Sequence, residues 1–245
     1  MKKLVFSALV LLCISVAAFS QIEEKMKKEG VVRGTILKNG GKIEGYIKIE
    51  GTVYESNSKQ WYPAPWEFQD GIRFIPADVF EKNEKIKNNL FDKYEPKNCD
   101  GYLYDGMEFE SVKYADMSAV GMGMIAKQVF MRKISADKIS LYQFFGTPPS
   151  VTTGPEGFKP FYEECNIIQW VYKIGQDGKL KLVNNLNIEK ELADCPLVVE
   201  KQAKGEYKAV GDEENQSKMN KLINNSVFKE QVRLMAIADY NENCQ

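Results

Sequence analysis

Residues 31–49 read VVRGTILKNGGKIEGYIKI, and this stretch decides the fold class. Two apolar runs, 31–37 and 42–49, flank Asn39-Gly40-Gly41. Asparagine and glycine tolerate the positive φ that a tight hairpin turn of the primed type requires. The expectation is a β-hairpin. In its second strand Ile43, Gly45, Ile47 and Ile49 share one face, and Lys42, Glu44, Tyr46 and Lys48 share the other. This alternation predicts a strand buried on one side and wet on the other.

Upstream, residues 21–30 are mostly charged and read as a solvated lead-in. Before them Lys2 and Lys3 precede an apolar run from Leu4 to Ala17, and Ala18-Phe19-Ser20 forms a small-x-small cleavage site. That is the anatomy of a secretory signal peptide over residues 1–20. The run is shorter than the ~20 residues of a membrane span. The expectation is export to the periplasm, the outer surface or the extracellular space, with no transmembrane segment after cleavage.

Charge and composition exclude several functions. The 245 residues carry 33 Lys plus Arg, 34 Asp plus Glu and no histidine. Cleavage at Ser20 removes two lysines and no acid, which leaves 31 basic against 34 acidic residues. A near-neutral chain does not suit a nucleic-acid partner. Without histidine there is no Ser-His-Asp or Cys-His nucleophile pair and no His-ligated zinc. Neither a metal nor a cofactor is expected, and an enzyme is the less favoured class.

Downstream, the β pattern persists to residue 146. Residues 71–75 read as a strand after an irregular stretch, 52–68, in which Pro63 and Pro65 oppose a central strand. Residues 99–106 read as loop, 107–114 as strand, and 129–133 with 138–145 as a second hairpin. Pro- and Gly-rich residues 147–157 form a linker. Residues 158–185 contain a third hairpin around Gly175-Gln176-Asp177-Gly178. From 186 to 245 the pattern is helical. Asn187 caps a stripe of Ile188, Leu192 and Cys195, Pro196 opens the next helix, and Asn225 or Ser226 separates two final stripes. The fold class is α+β: a mostly antiparallel β region followed by C-terminal helices. The opening hairpin also suits a small SH3-like or Sm-like barrel.

Candidate sites are few. Trp61, Tyr62, Trp66 and Phe68 cluster around two prolines. They form either an aromatic platform for a ligand or one end of the core. Gly121-Met-Gly123-Met-Ile-Ala126 resembles a dinucleotide loop, but lacks a good strand before it and a helix after it. Asp100, Asp105 and Glu108 lack the alternation of a calcium loop. Glu163 and Glu164 are adjacent, so on a strand they would face opposite ways. After cleavage Cys99, Cys165, Cys195 and Cys244 remain, an even set with no CxxC. In an oxidising compartment they imply two disulfides, with three connectivities open.

Gly34 to Gly45, Ile139-Ser-Leu-Tyr142, the hairpin from Tyr172 to Leu182, Asp194-Cys195-Pro196 and Tyr240-Asn241 before Cys244 occur in an order that resembles a group of exported Bacteroidota proteins. The match is scattered over about half of the mature chain, and Cys99 and Cys165 stand outside it. The resemblance implies an exported α+β protein and carries no activity. Cys195 sits at a helix boundary, Cys244 lies just past the last helical stripe, and both belong to the resembled pattern. This assigns Cys195–Cys244 and leaves Cys99 with Cys165. The functional expectation is an envelope or extracellular binding module whose partner is a glycan or a protein. The alternative is a hydrolase that uses carboxylates on a polysaccharide.

Overall fold

A computed structural model describes residues 20–55, 60–64, 66–104, 106–115, 125–146, 168–207 and 218–244, with side chains except at 52–63 and 218–227. The fold is α+β. Ten strands form one open antiparallel sheet, and β3 (Thr52–Glu55) and β4 (Gln60–Pro63) form a separate pair. The large sheet contains β1 (Val31–Lys38), β2 (Gly41–Lys48), β5 (Ile72–Pro76), β6 (Asp92–Tyr94), β7 (Gly101–Tyr104), β8 (Met107–Tyr114), β9 (Lys127–Ala136), β10 (Ile139–Phe145), β11 (Ile168–Ile174) and β12 (Lys181–Leu182). Its order is β12-β11-β10-β9-β8-β7-β1-β2-β5-β6. Among the described residues the helices are α1 (20–29), α2 (Glu67–Asp70), α3 (Ala77–Lys82), α4 (Ile188–Glu191), α5 (Pro196–Ala203) and α6 (Lys218–Asn243). The small barrel does not form. The outermost strands have three and two residues, too few to supply a closing ladder.

The chain divides into two compact units, Met1–Met131 with Thr147–Asn166 and Arg132–Gly146 with Ile167–Gln245. In the first, β1 pairs with β2 from Val31↔Lys48 to Lys38↔Gly41. Asn39 and Gly40 turn the chain at φ 52° and 72°, the left-handed pair that the hairpin needs. One sheet face buries Ile36, Ile47, Phe74, Tyr102, Phe109 and Phe130. Gly45 is required by close approach, because a Cβ there would lie 2.2 Å from the Ile75 carbonyl oxygen.

The opposite face is only partly wet. Met26 of α1 and Phe80 of α3 pack with Val31, Tyr46 and Ile75. Tyr46 is 2% exposed, and its hydroxyl donates to Glu81 Oε1 at 3.0 Å. Burial and that bond push its pKa up to about 12. The stretch read as a lead-in is therefore an ordered helix. Ile22 and Met26, four residues apart, make a narrow apolar stripe that the surrounding charges obscure. Residues read as loop at 99–106 contain β7, with Asp100 N–H donating to Leu37 O at 2.8 Å.

In the second unit β10 pairs with β9 and β11, and β12 adds two residues. The buried cluster joins Ile139, Leu141 and Tyr172 of the sheet to Leu186, Ile188, Leu192, Val198, Val232, Ala236 and Ile237. Asn187 caps α4, its side chain accepting from Lys190 N–H at 3.1 Å. The expected stripe is broken: α4 ends at Glu191, and Cys195 precedes α5, with Pro196 at its first position. α6 runs unbroken through Asn225 and Ser226. Inside a helix each costs no more than ~0.7 kcal/mol relative to alanine, too little to force a stop.

Candidate functional site

The cleft is built on the uncovered part of the first unit's polar face. Alternation on β1 puts Arg33 and Thr35 on that face, and register sets Thr35 opposite Glu44 on one side and Leu103 on the other. Thr35 Oγ1 donates to Glu44 Oε2 at 2.8 Å. From α1, Glu23 Oε1 accepts from Arg33 Nη2 at 3.1 Å. Between them lies an open cleft of about 460 Å³ lined by Glu23, Met26, Arg33, Thr35, Glu44 and Leu103. Thr35 is buried in its floor, whereas the Arg33 and Glu23 side chains are 51% and 40% exposed. The exposed ion pair adds little stability. The cleft thus presents guanidinium donors and carboxylate acceptors beside the apolar Met26 and Leu103. That combination suits a ligand rich in hydroxyl and amide groups.

The aromatic cluster lies elsewhere. Phe68 is 5% exposed and stacks on Tyr104 with ring centroids 5.2 Å apart. Tyr102 O–H donates to Phe68 O at 2.7 Å. Trp66 is also buried. These two rings are engaged in packing and leave little face for a ligand. Trp61 and Tyr62 lie on β4, opposite Tyr54 and Val53, and their side chains fall outside the described residues.

Cys195 and Cys244 stand at disulfide distance, with Cα atoms 5.7 Å apart. Cys99 is buried, its thiol donates to Glu95 O at 3.7 Å, and burial pushes its pKa up. Cys165, Glu163, Glu164, Asp105 and residues 121–124 of the glycine-rich loop lie outside the described residues. Asp100 accepts from Gly40 N–H at 3.4 Å. Among the described residues no group of three or more His, Cys, Asp or Glu is placed to hold a metal ion. No described helix is long and apolar enough to cross a membrane.

The second unit shows where the resembled motifs meet. Tyr240 O–H donates to Asp194 Oδ2 at 2.6 Å, beside the Cys195–Cys244 pair. The Asn241 side chain donates to Ile139 O at 2.8 Å and accepts from Ile139 N–H at 2.9 Å. It pairs with β10 as one strand residue would. Glu191 accepts from Tyr172 O–H at 3.0 Å, Lys181 Nζ at 2.6 Å and Asn187 N–H at 3.3 Å. The motifs form a structural clasp of tyrosine–carboxylate bonds.

This clasp predicts a pH dependence. Burial acts to raise the Glu191 pKa, but Lys181, the Asn187 N–H and Tyr172 outweigh it and hold it low. Lys201 holds Asp239 low against burial, with Tyr207 adding to the effect. For both groups the folded pKa lies below the unfolded one. Their stabilisation is complete above an ordinary carboxylate pKa of ~4 and is lost as pH falls through the lowered folded values. Glu230 acts in the opposite sense, because burial raises its pKa despite the bond from Asn184. Urea midpoints measured from pH 7 to 3 should fall in the acid range, and less steeply for Glu191→Gln. Equal slopes for the two proteins would refute the assignment to Glu191.

The cleft went unseen in the sequence because its α1 wall read as a solvated tail. The alternation of Arg33, Thr35 and Glu44 was the available signal. Comparison of the chain with family models, curated proteins and solved structures finds no match.

Proposed function

We propose that the chain is an exported protein that acts by binding, and that the cleft between α1 and the β1–β2–β7 face seats a segment of envelope glycan. The observation that carries this reading is the cleft's lining. Sugar hydroxyls both donate and accept, which matches Arg33 facing Glu23 and Thr35 facing Glu44. Met26 and Leu103 offer apolar contact for the C–H face of a sugar ring. Export is supported by the leader pattern in residues 1–20.

The test is retention on purified cell-wall sacculi and on a glycan array. Arg33→Ala with Glu44→Ala should lower affinity at least ~10-fold, the equivalent of 1.4 kcal/mol. Arg33→Ala alone should leave the melting temperature nearly unchanged, as exposed polar replacements stay within about 0.5 kcal/mol, whereas Glu44→Ala should lower it modestly because the buried Thr35 hydroxyl loses its acceptor. Unchanged retention by the double variant would refute the cleft as the binding seat. Release of new reducing ends from the glycan would replace this reading with the hydrolase one.

A further inference from the structure

We infer that Glu44 makes the cleft selective for a glycan that carries an unsubstituted amino sugar, whose ammonium group becomes the counter-ion of its carboxylate. The inference rests on the binding reading above and names the chemistry that the same seat prefers. The charged groups that line the cleft are Glu23, Arg33 and Glu44, two carboxylates against one guanidinium. Arg33 is engaged by Glu23, its Nη2 donating to Oε1 at 3.1 Å. Glu44 forms no ion pair among the described residues, and its bond is the one accepted from Thr35. The neighbouring lysines do not serve it. Lys25 of α1 donates to Phe80 O and Asn83 O, and Lys48 of β2 donates to Glu29 O. Lys42 shares the Glu44 face of β2, two residues away, and forms no ion pair with it.

Thr35 gives this carboxylate a fixed direction. It is buried in the cleft floor, and its hydroxyl donates to Glu44 Oε2 at 2.8 Å. That bond holds one oxygen of an exposed residue and leaves Oε1 to a ligand. A side chain already held loses less rotamer freedom on binding than a free one. An ammonium is a compact charge with three donors, which suits such an acceptor. N-acetylation of the sugar keeps one N–H donor and removes the charge, so the charge-assisted part of the bond is lost. An acidic sugar would meet two carboxylates and a guanidinium already engaged by Glu23. The seat therefore ranks amine-bearing above acetylated above acidic sugars.

The experiment compares a β-1,4-linked glucosamine tetramer with its fully N-acetylated counterpart by calorimetry, at about pH 6, where carboxylates are ionised and amines protonated. The wild type should bind the amine-bearing tetramer about five-fold more tightly, the upper end for an exposed ion pair. The ratio should shrink toward unity as salt rises from ~0.02 to ~0.5 M. Glu44→Gln keeps an acceptor for Thr35 and removes the charge, so its ratio should be near unity. Glu189→Gln removes the same charge from an exposed position of α4 in the second unit and should leave the ratio as it is. A wild-type ratio at or below unity, or a preference that Glu44→Gln retains, would overturn the inference and leave the cleft as a glycan seat. If Glu44→Gln binds neither tetramer, the wild-type salt series decides, and a ratio that salt does not move would overturn the inference. A wild type that binds neither tetramer but is retained on sacculi would overturn the inference alone. Loss of that retention as well would overturn the glycan reading with it.

Discussion

Cys244→Ser is expected to cost the second unit about 4 kcal/mol of stability, on the chain-entropy estimate for a bridge across this separation. The two cysteines are 49 residues apart in sequence, and their Cα atoms lie 5.7 Å apart in the fold. A bridge here removes much of the conformational freedom of the unfolded chain between α5 and the end of α6. The same segment is held by Tyr240 on Asp194 and Asn241 on Ile139, so the folded geometry should survive the substitution. The loss is comparable to the lower end of net domain stability, ~5 kcal/mol. Urea denaturation of the wild type with and without reductant, compared with Cys244→Ser, measures it. Non-reducing peptide maps identify the bridge. Identical midpoints under both conditions, or a Cys99–Cys195 peptide, would show the pairing to be wrong.

Tyr102→Ala should cost a similar amount in the first unit, about 4 kcal/mol, the middle of the range for truncating a large buried ring. Tyr102 has no exposed surface. It stacks on Phe109 at 4.7 Å and meets Phe130 edge-on at 4.9 Å. Its hydroxyl holds the backbone of Phe68, which ties α2 to the sheet. Tyr102→Phe keeps the rings and loses only that bond, so ~1–2 kcal/mol is expected. Equilibrium unfolding of the two variants separates the packing and hydrogen-bond contributions. A Tyr102→Phe loss as large as that of Tyr102→Ala would mean that the anchor to Phe68, rather than the ring stack, carries the site.

The parts of the fold legible in the sequence are those with strong local chemistry. Asn39-Gly40 specified its turn because few residues accept two positive φ values in succession. Asn187 and Pro196 marked two helix starts through a side-chain cap and a preset φ. What was missed depends on distant partners. β7 is a short strand between Asp-Gly signals, stabilised by pairing with β1 some 70 residues earlier, and no local pattern announces that. α1 looked like a solvated tail because two apolar residues in a charged run suffice once a sheet lies beneath them. The aromatic cluster shows the limit in the other direction. Composition cannot separate a ligand platform from a core; burial puts Phe68 and Trp66 among the packed residues, and the side chains of Trp61 and Tyr62 lie outside the described residues.

The open sheet ends in strands of two and three residues, Lys181–Leu182 and Asp92–Tyr94. An unclosed sheet is a standing invitation to another chain, because an exposed backbone ladder can template an added strand. Here each outermost strand offers two or three backbone positions, with Lys181 on one and Asp92 and Lys93 on the other. A neighbouring molecule would gain very few hydrogen bonds there and would bring its own edge against fixed charge. Among the described residues the outermost strands therefore give an incoming chain little ladder to extend, a negative selection written into the shortness of the sheet's borders.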